Sequence, residues 1–249
     1  MKILYYDCFA GISGDMNLGA MLDIGVDKDH LVNELSKLNM NHEFEIKTSK
    51  ELRKGIEGTK VDVVLKHEHE HEHEHHHHRN LKDIENIINS SSVNDNVKAL
   101  SLSMFKKVAQ AEAKVHGKPV YEVHFHEVGA VDSIVDIVGA AICLDYLKAD
   151  KIICSPVELG AGFVKCAHGI MPVPAPATVE ILKGIPVKSG IVPFETTTPT
   201  GAAILAVNVH EFSDMKDFII EKTGYGIGSR DTDIPNVLRV YLGKKKLNP

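Results

Sequence analysis

Residues 2–15 read KILYYDCFAGISGD, and this stretch decides how the chain begins to fold. Four apolar side chains, Ile3 to Tyr6, run into a turn of small residues that includes Gly11 and Gly14. Apolar residues then recur at helical spacing, and Gly25 stands where a helix commonly ends. The stretch predicts a buried strand over residues 2–6, a turn that allows close backbone approach, and a helix after it.

The rest of the chain continues this alternation. Helices are predicted where apolar residues share one face, and strands where they alternate or run together between turn residues. Interleaving of this kind predicts an α/β (or α+β) fold with helices around mixed sheets. Further helices are expected at about 28–38, 80–89, 94–116, 130–147, 176–183 and 201–208, and strands at about 43–49, 59–66, 120–125, 152–154, 216–222 and 236–242.

Composition excludes several classes of partner. The 249 residues carry 28 Lys and Arg against 34 Asp and Glu, and the only basic cluster of the sequence is Lys244 to Lys246. The sequence therefore lacks the clustered basic residues that binding to nucleic acid requires. No apolar run reaches the ~18 residues of a membrane span, and no charged leader precedes an apolar segment. The four cysteines are widely spaced and form no CxxC pair, which indicates reduced thiols. We therefore expect a cytoplasmic protein.

Residues 67–78 alternate His with Glu and end in four consecutive histidines. Neutral imidazole binds nickel, copper and zinc, and carboxylates add oxygen ligands. A tract with many alternative ligand sets does not define one coordination geometry. It therefore suits the capture and delivery of metal better than catalysis. The alternatives are an expression tag, although tags lie at termini and rarely alternate with Glu, or an insert with no role. We expect a loop outside the core. Its predicted ligands are His67, His69, His71, His73, His75, His76, His77 and His78.

A second polar segment precedes and enters the predicted helix at 130–147. If residues 120–125 form a strand, His124 and His126 project from one face and can chelate one ion. Glu127 then points away, unless the chain turns there. Asp132 and Asp136 share one helix face and can hold a cation or orient a histidine. The alternative is a core histidine beside an ordinary helix-terminal charge. The predicted metal ligands here are His124, His126, Asp132 and Asp136.

Two other segments open helices with glycines and hydroxyls, which suits an anion because the free N–H groups of a helix N-terminus bind phosphate. Neither segment matches a P-loop or GxGxxG. Ordinary capping by Thr198 or Thr200 is the alternative for the second. The predicted contacts of a phosphate-bearing ligand are Ser13, Gly14, Asp15, Thr198, Thr200 and Gly201.

Several motifs, in this order along the chain, together resemble the LarC family of nickel insertion proteins. They are Asp7 to Met16, His124 to Gly129 with Asp132 and Asp136, His168-Gly169 with the Pro-rich loop after it, Thr198 to Ala203, and Gly224 to Gly228. The likeness spans most of residues 1–243, and the internal histidine tract fits it.

The resemblance implies a specific reaction. The family inserts Ni²⁺ into pyridinium-3,5-bisthiocarboxylic acid mononucleotide, and the product is the nickel-pincer nucleotide cofactor of lactate racemase. The reaction depends on CTP hydrolysis and on Mn²⁺ or Mg²⁺. Residues 1–243 then represent the N-terminal region of the family and 244–249 a tail, while the C-terminal module implicated in binding CTP is absent. We expect that such a module, fused or as a second polypeptide, is needed.

Two functions follow from these observations. In the first, the chain is part of a nickel-inserting enzyme, and a base removes the ring proton that the nickel–carbon bond replaces; Glu127 or His126 is the predicted base. In the second, the chain is a nickel store or metallochaperone that performs no chemistry. The histidine tract supports both functions. The polar motifs of the ordered body favour the first, because storage does not need them.

Overall fold

The computed structural model describes residues 1–66, 79–123, 125, 130–166 and 169–246. The histidine tract, His124, His126, Glu127 and His168 lie outside these residues, so what is expected of them stays a prediction.

Helices and strands alternate along the described chain, which confirms the α/β class. The strands are β1 (Lys2–Asp7), β2 (Phe44–Arg53), β3 (Ile56–Leu65), β4 (Lys151–Cys154), β5 (Val157–Glu158), β6 (Phe163–Cys166), β7 (Gly169–Pro172), β8 (Val187–Lys188), β9 (Glu211–Phe212), β10 (Phe218–Ile227) and β11 (Val237–Lys245). The helices are α1 (Gly14–Asp23), α2 (Lys28–Ser36), α3 (Leu81–Ser90), α4 (Asp95–His116), α5 (Val131–Leu147), α6 (Pro176–Ile181) and α7 (Pro199–Asn208).

Seven strands form one mixed sheet in the order β2-β3-β10-β11-β1-β4-β9. Strand β1 lies in the interior of the sheet, antiparallel to β11 and parallel to β4. Strands β2 and β3 form a long hairpin at one edge, and β3 runs parallel to β10. Two further pairs, β5 with β8 and β6 with β7, form small separate sheets. From the carboxyl end of β1 the chain passes through a six-residue turn, 8–13, into α1.

Helices α1, α4 and α5 build the core against this sheet. Helix α1 packs on β3 and β10, and α5 packs on α1 and α4. The close approach of α1 to β10 depends on glycine, because a Cβ on Gly226 would overlap the carbonyl oxygen of Met16. Gly224 and Gly226 both belong to the continuous strand β10, although the sequence predicted that this strand ends at residue 222.

The strand expected at 120–125 is wrong. Val120–Glu122 form a 3₁₀ turn, and neither Val123 nor Phe125 belongs to a strand. Phe125 is buried, its ring lies 6.4 Å from that of Phe105, and its N–H donates to the Arg79 carbonyl (3.4 Å). The apolar residues that suggested a strand are therefore apolar because they are buried in the core. The argument that His124 and His126 share a strand face loses its basis.

Two further features concern the cysteines and the helices. Cys8, Cys143 and Cys154 are buried free thiols. Within the described ranges, no helix combines the length and apolar character needed to cross a membrane.

A polar cavity at the start of three helices

Helices α1, α5 and α7 all begin at one cavity of about 400 Å³, and β3 forms another part of its wall. The cavity joins the first anion segment (Ser13, Gly14, Asp15), the carboxylates Asp132 and Asp136, and Thr198 and Thr200 of the second anion segment. These residues are separated by up to 187 positions in the sequence, from Ser13 to Thr200. Backbone contacts explain how the fold brings them together.

The turn before α1 is tied to the turn before α7. The Ile12 N–H donates to the Thr196 carbonyl (3.0 Å), and the Thr198 N–H donates back to the Ile12 carbonyl (3.1 Å). Gly11 adopts a φ of +79°, and a Cβ there would overlap the Thr196 backbone. The two helices therefore start side by side.

The start of α1 has free capacity for a ligand. Ser13 is the N-cap residue, yet its side chain accepts no hydrogen bond from the first turn; its hydroxyl donates to the Asp15 carboxylate. The first-turn N–H groups of α1 thus lack a side-chain cap, and such groups favour an anion.

The start of α7 is different. The Thr198 hydroxyl caps this helix by accepting from the Gly201 N–H (3.2 Å), so the capping role weighed from the sequence is present. Thr200 lines the cavity, whereas Gly201 packs against Ile12, where a Cβ would overlap the Ile12 carbonyl oxygen. A ligand role for these residues stays a prediction.

Asp132 and Asp136 lie on the first turns of α5. Oδ1 of Asp132 accepts from the Ser133 N–H (2.8 Å). Among the residues that the structure describes, Oδ1 of Asp136 is buried and finds no hydrogen-bond partner. Burial raises the pKa of Asp136 well above its ordinary value, and the nearby carboxylates of Asp15 and Asp132 raise it further, while Lys60 opposes them. Perturbed carboxyl groups in a cleft are typical of functional sites.

Sequence reasoning missed Lys60, which is buried on β3 and reaches into the cavity. Its Nζ lies 3.1 Å from carboxylate oxygens of both Asp15 and Asp62, and 3.5 Å from the Ser229 hydroxyl. Burial lowers the pKa of Lys60, but the charges and hydrogen bonds of Asp15 and Asp62 outweigh it and leave the pKa raised. Lys60 is therefore a fixed cation at the start of α1.

Only some of the predicted metal ligands belong to the described residues. Among the residues that the structure describes, no three His, Cys, Asp or Glu side chains are grouped to hold a metal ion. Asp132 and Asp136 line one cavity, but their predicted partners His124 and His126 lie outside the described residues, so the metal site stays a prediction.

The residues that flank the histidine tract are anchored at one place. The Lys66 N–H donates to the Glu43 carbonyl (2.9 Å), and the Arg79 guanidinium pairs with the Glu43 carboxylate (2.7 Å). The Arg79 carbonyl in turn accepts from Phe125, which stands between His124 and His126 in the sequence. Both flanks of the tract thus meet at Glu43, and one of them contacts the segment of the His-x-His motif.

Fold and cavity together define an α/β protein whose polar site is assembled where helices begin, an arrangement suited to a small ligand that carries an anionic group. The chain belongs to the nickel insertion protein family, whose model matches residues 4–248. This confirms the resemblance drawn from the motifs.

The curated relatives carry more specific names. The chain is 67% identical to the pyridinium-3,5-bisthiocarboxylic acid mononucleotide nickel insertion protein of Clostridium kluyveri, over 99% of this chain and 63% of the relative. It is 65% identical to the protein of the same name in Clostridium acetobutylicum, over 99% and 65% respectively. A putative nickel insertion protein of Wolinella succinogenes is 52% identical, over 100% and 62%. The chain thus spans less than two-thirds of the length of these relatives. No solved structure matches it.

Proposed function

We propose that this chain takes part in inserting Ni²⁺ into pyridinium-3,5-bisthiocarboxylic acid mononucleotide, to give the nickel-pincer nucleotide cofactor that lactate racemase receives. Family membership and the names of the relatives support the reaction. The observation that carries the assignment to a site is the cavity at the start of α1, α5 and α7. Its volume of about 400 Å³ falls in the usual range of small-molecule sites, and its lining offers both anion and cation contacts.

In this proposal the substrate phosphate binds at the start of α1, near Ser13, Gly14 and Asp15, with Thr198, Thr200 and Gly201 as the second candidate contacts. The uncapped first turn of α1 supports this choice over α7, whose Gly201 N–H is already bonded to Thr198. Lys60 adds a positive charge beside the α1 start.

Nickel would be held by Asp132 and Asp136 together with His124 and His126. The unpartnered Oδ1 of Asp136 supports this, because a buried carboxylate oxygen without a hydrogen bond is costly unless a ligand satisfies it. The thiocarboxylates of the substrate are soft ligands that suit Ni²⁺. Formation of the nickel–carbon bond displaces a ring proton, and we propose Glu127 or His126 as its acceptor.

The tract at 67–78 would collect Ni²⁺ ahead of insertion. Its flanks, Lys66 and Arg79, both bond to Glu43, and Arg79 also bonds to Phe125. This anchoring supports transfer over a short distance from the tract to the segment that contains His124 and His126. A nickel store or metallochaperone remains the alternative function, but storage alone gives no reason for the polar cavity.

CTP, and Mn²⁺ or Mg²⁺ with it, belong to this proposal as requirements of the whole reaction. We propose that a C-terminal module, fused or separate, supplies the CTP site. The two helix starts at the cavity suit a single phosphate better than a triphosphate, and the sequence has no P-loop motif. We place the reaction in the cytoplasm, which the free thiols of Cys8, Cys143 and Cys154 support.

The test is reconstitution with purified components. The chain is mixed with the thiolated pyridinium mononucleotide, Ni²⁺, Mn²⁺ and CTP, with and without the C-terminal module of a relative, and activation of apo lactate racemase is measured. We expect activation only when the module is present. Failure with the module would contradict the insertion function, and full activation without it would contradict the proposed division of roles.

A further inference from the structure

The charge of the cavity is at odds with an anionic ligand bound alone. Its described lining carries five carboxyl groups and a single amine. With every group ionised, the formal charge would be −4, which repels a phosphate despite the helix starts around it. The carboxyl groups are Asp15, Asp62, Asp132, Asp136 and Glu195, and the amine is Lys60.

Three of the five carboxyl groups already have a partner among the described residues. Lys60 pairs with Asp15 and Asp62 at 3.1 Å each, and Glu195 accepts from the Ala175 N–H (3.4 Å). In the part of the chain that the structure describes, the lining carboxyl groups left with capacity are Asp132 and Asp136 on α5, and the buried Oδ1 of Asp136 has no partner there. The carboxyl groups with capacity for a further ligand therefore lie together where α5 begins.

Two carboxylates are too few to enclose an ion, in line with the lack of any three-residue metal group among the described residues. Two carboxylates do match the way proteins commonly bind Mg²⁺, which takes one or two carboxylates and completes its shell with substrate phosphate oxygens and water. A phosphate at the α1 start would share the cavity with Asp132 and Asp136. The cation removes the repulsion that the phosphate meets, and the phosphate supplies the ligands that the cation lacks.

We infer that this cavity binds a divalent cation and a phosphate monoester as a pair, with Asp132 and Asp136 holding the cation and each partner raising the affinity of the other. The inference rests on the proposed function for the identity of the phosphate monoester, and adds to it that the mononucleotide binds only weakly until a cation is present. Because coupling is reciprocal, the factor gained must be the same for both partners.

The experiment is titration calorimetry on the full chain with nicotinic acid mononucleotide, a pyridinium nucleotide with one phosphate. Mg²⁺ is the first cation used, because it prefers oxygen ligands and is not taken up by the histidine tract. We expect the nucleotide to bind about tenfold or more tightly in saturating Mg²⁺ than in EDTA, within the usual range of coupling between sites. Nicotinic acid riboside, which lacks the phosphate, should show no such gain.

Variants decide whether the cavity is responsible. Asp132→Asn and Asp136→Asn should abolish the gain, while Asp145→Asn, also on α5 but outside the cavity lining, should keep it. Circular dichroism on each variant controls for folding. Equal affinity in Mg²⁺ and EDTA, or a gain that persists in Asp136→Asn, would overturn the inference.

Ribose 5-phosphate separates this inference from the proposed function. If it shows the Mg²⁺-dependent gain and the pyridinium nucleotide does not bind, the coupling stands and the proposed substrate falls. If the pyridinium nucleotide binds without a cation, the substrate stands and the coupling falls. If neither compound binds in Mg²⁺, the inference is overturned. Repeating the titration with Ni²⁺ and Mn²⁺ identifies whether the paired cation is the substrate metal or a separate ion.

Discussion

Gly14 at the start of α1 leaves the space that the Asp136 carboxyl group of α5 occupies: a Cβ at position 14 would overlap Oδ2 of Asp136. The two residues are 122 positions apart, and the absence of one side chain sets the place of the other. This contact fixes a carboxylate directly beside the uncapped first turn of α1, so an anion contact and a cation contact adjoin each other.

This contact predicts that Gly14→Ala destabilises the protein although Ala favours a helix. Overpacking at a tight site costs about 1–3 kcal/mol. In an Asp136→Gly background the three overlapping atoms, Oδ2, Cγ and Cβ of Asp136, are gone, and the same Gly14→Ala change should have little effect or stabilise slightly. Urea unfolding of the four proteins in this double-mutant cycle measures the coupling. An equal cost of Gly14→Ala in both backgrounds would show that the two side chains do not compete for space.

Asp136→Asn should raise the melting temperature at neutral pH when no metal is bound. The pKa of Asp136 is raised in the folded protein, mainly by burial, so the native state favours the protonated acid. Stability is then lost as the pH rises from the unfolded value of about 4 through the folded pKa, and Asn, which cannot ionise, escapes this loss. The gain should be a few degrees, at ~2–4 °C per kcal/mol for a protein of this size.

The measurement for Asp136 is thermal unfolding from pH 4 to pH 8 in EDTA. The difference between Asp136→Asn and wild type should be smallest at pH 4 and grow as the pH rises. Asp145→Asn serves as the control on the same helix and should show no such growth. A difference that shrinks with rising pH would mean that the ionised carboxylate is stabilised in the folded protein.

Lys60→Met should destabilise the protein by about 1–3 kcal/mol. The change leaves the partly buried Asp15 carboxylate without its ionic partner. Adding Asp15→Asn should recover part of that loss. Lys50, on β2, is the matched control: it pairs with Asp23, but its side chain is 59% exposed, so Lys50→Met should change little. Chemical unfolding gives the free energy of unfolding of each variant. An equal loss of this free energy at positions 60 and 50 would show that the buried ion pairs of Lys60 stabilise the protein no more than the exposed pair of Lys50.

Replacing residues 67–78 with a Gly/Ser loop of equal length should lower the number of Ni²⁺ ions bound per chain and leave the fold intact. The anchors at Lys66, Arg79 and Glu43 lie outside the replaced segment and hold the flanking strand and helix in place. Equilibrium dialysis gives the stoichiometry, and circular dichroism reports the fold. Unchanged nickel stoichiometry would refute the capture role, and a lost folded signal would show that the tract is structural.

Sequence patterns gave most elements of the fold because helical periodicity and apolar runs report local burial. The strand predicted at 120–125 is wrong, because Phe125 is buried in the core without belonging to a strand. The pattern also failed at Gly224 and Gly226, which appeared to end a strand but exist so that α1 can approach β10. Both errors have the same origin, since burial against a distant element leaves no local period.

The sequence identified separate segments of the candidate cavity but not that they meet. Helix-start motifs and the i, i+4 pair on α5 identified Ser13, Gly14, Asp15, Asp132 and Asp136, all of which line the cavity. Lys60 and Asp62 were missed because charges that alternate with valines on a strand normally indicate only a solvated face. Their position beside α1 depends on the pairing of β3 with β10, which no local spacing encodes.

The most direct measurement for the whole account is nickel-pincer cofactor formation by variants of the cavity. Wild type, Asp132→Asn, Asp136→Asn and the control Asp145→Asn are each combined with the C-terminal module, thiolated substrate, Ni²⁺, Mn²⁺ and CTP, and the metallated product is quantified by mass spectrometry. The account predicts full product from wild type and Asp145→Asn, and a loss of about 100-fold or more from each cavity variant, as for removal of a key electrostatic contact. Wild-type product from both Asp132→Asn and Asp136→Asn would contradict it, because insertion would then take place outside this cavity.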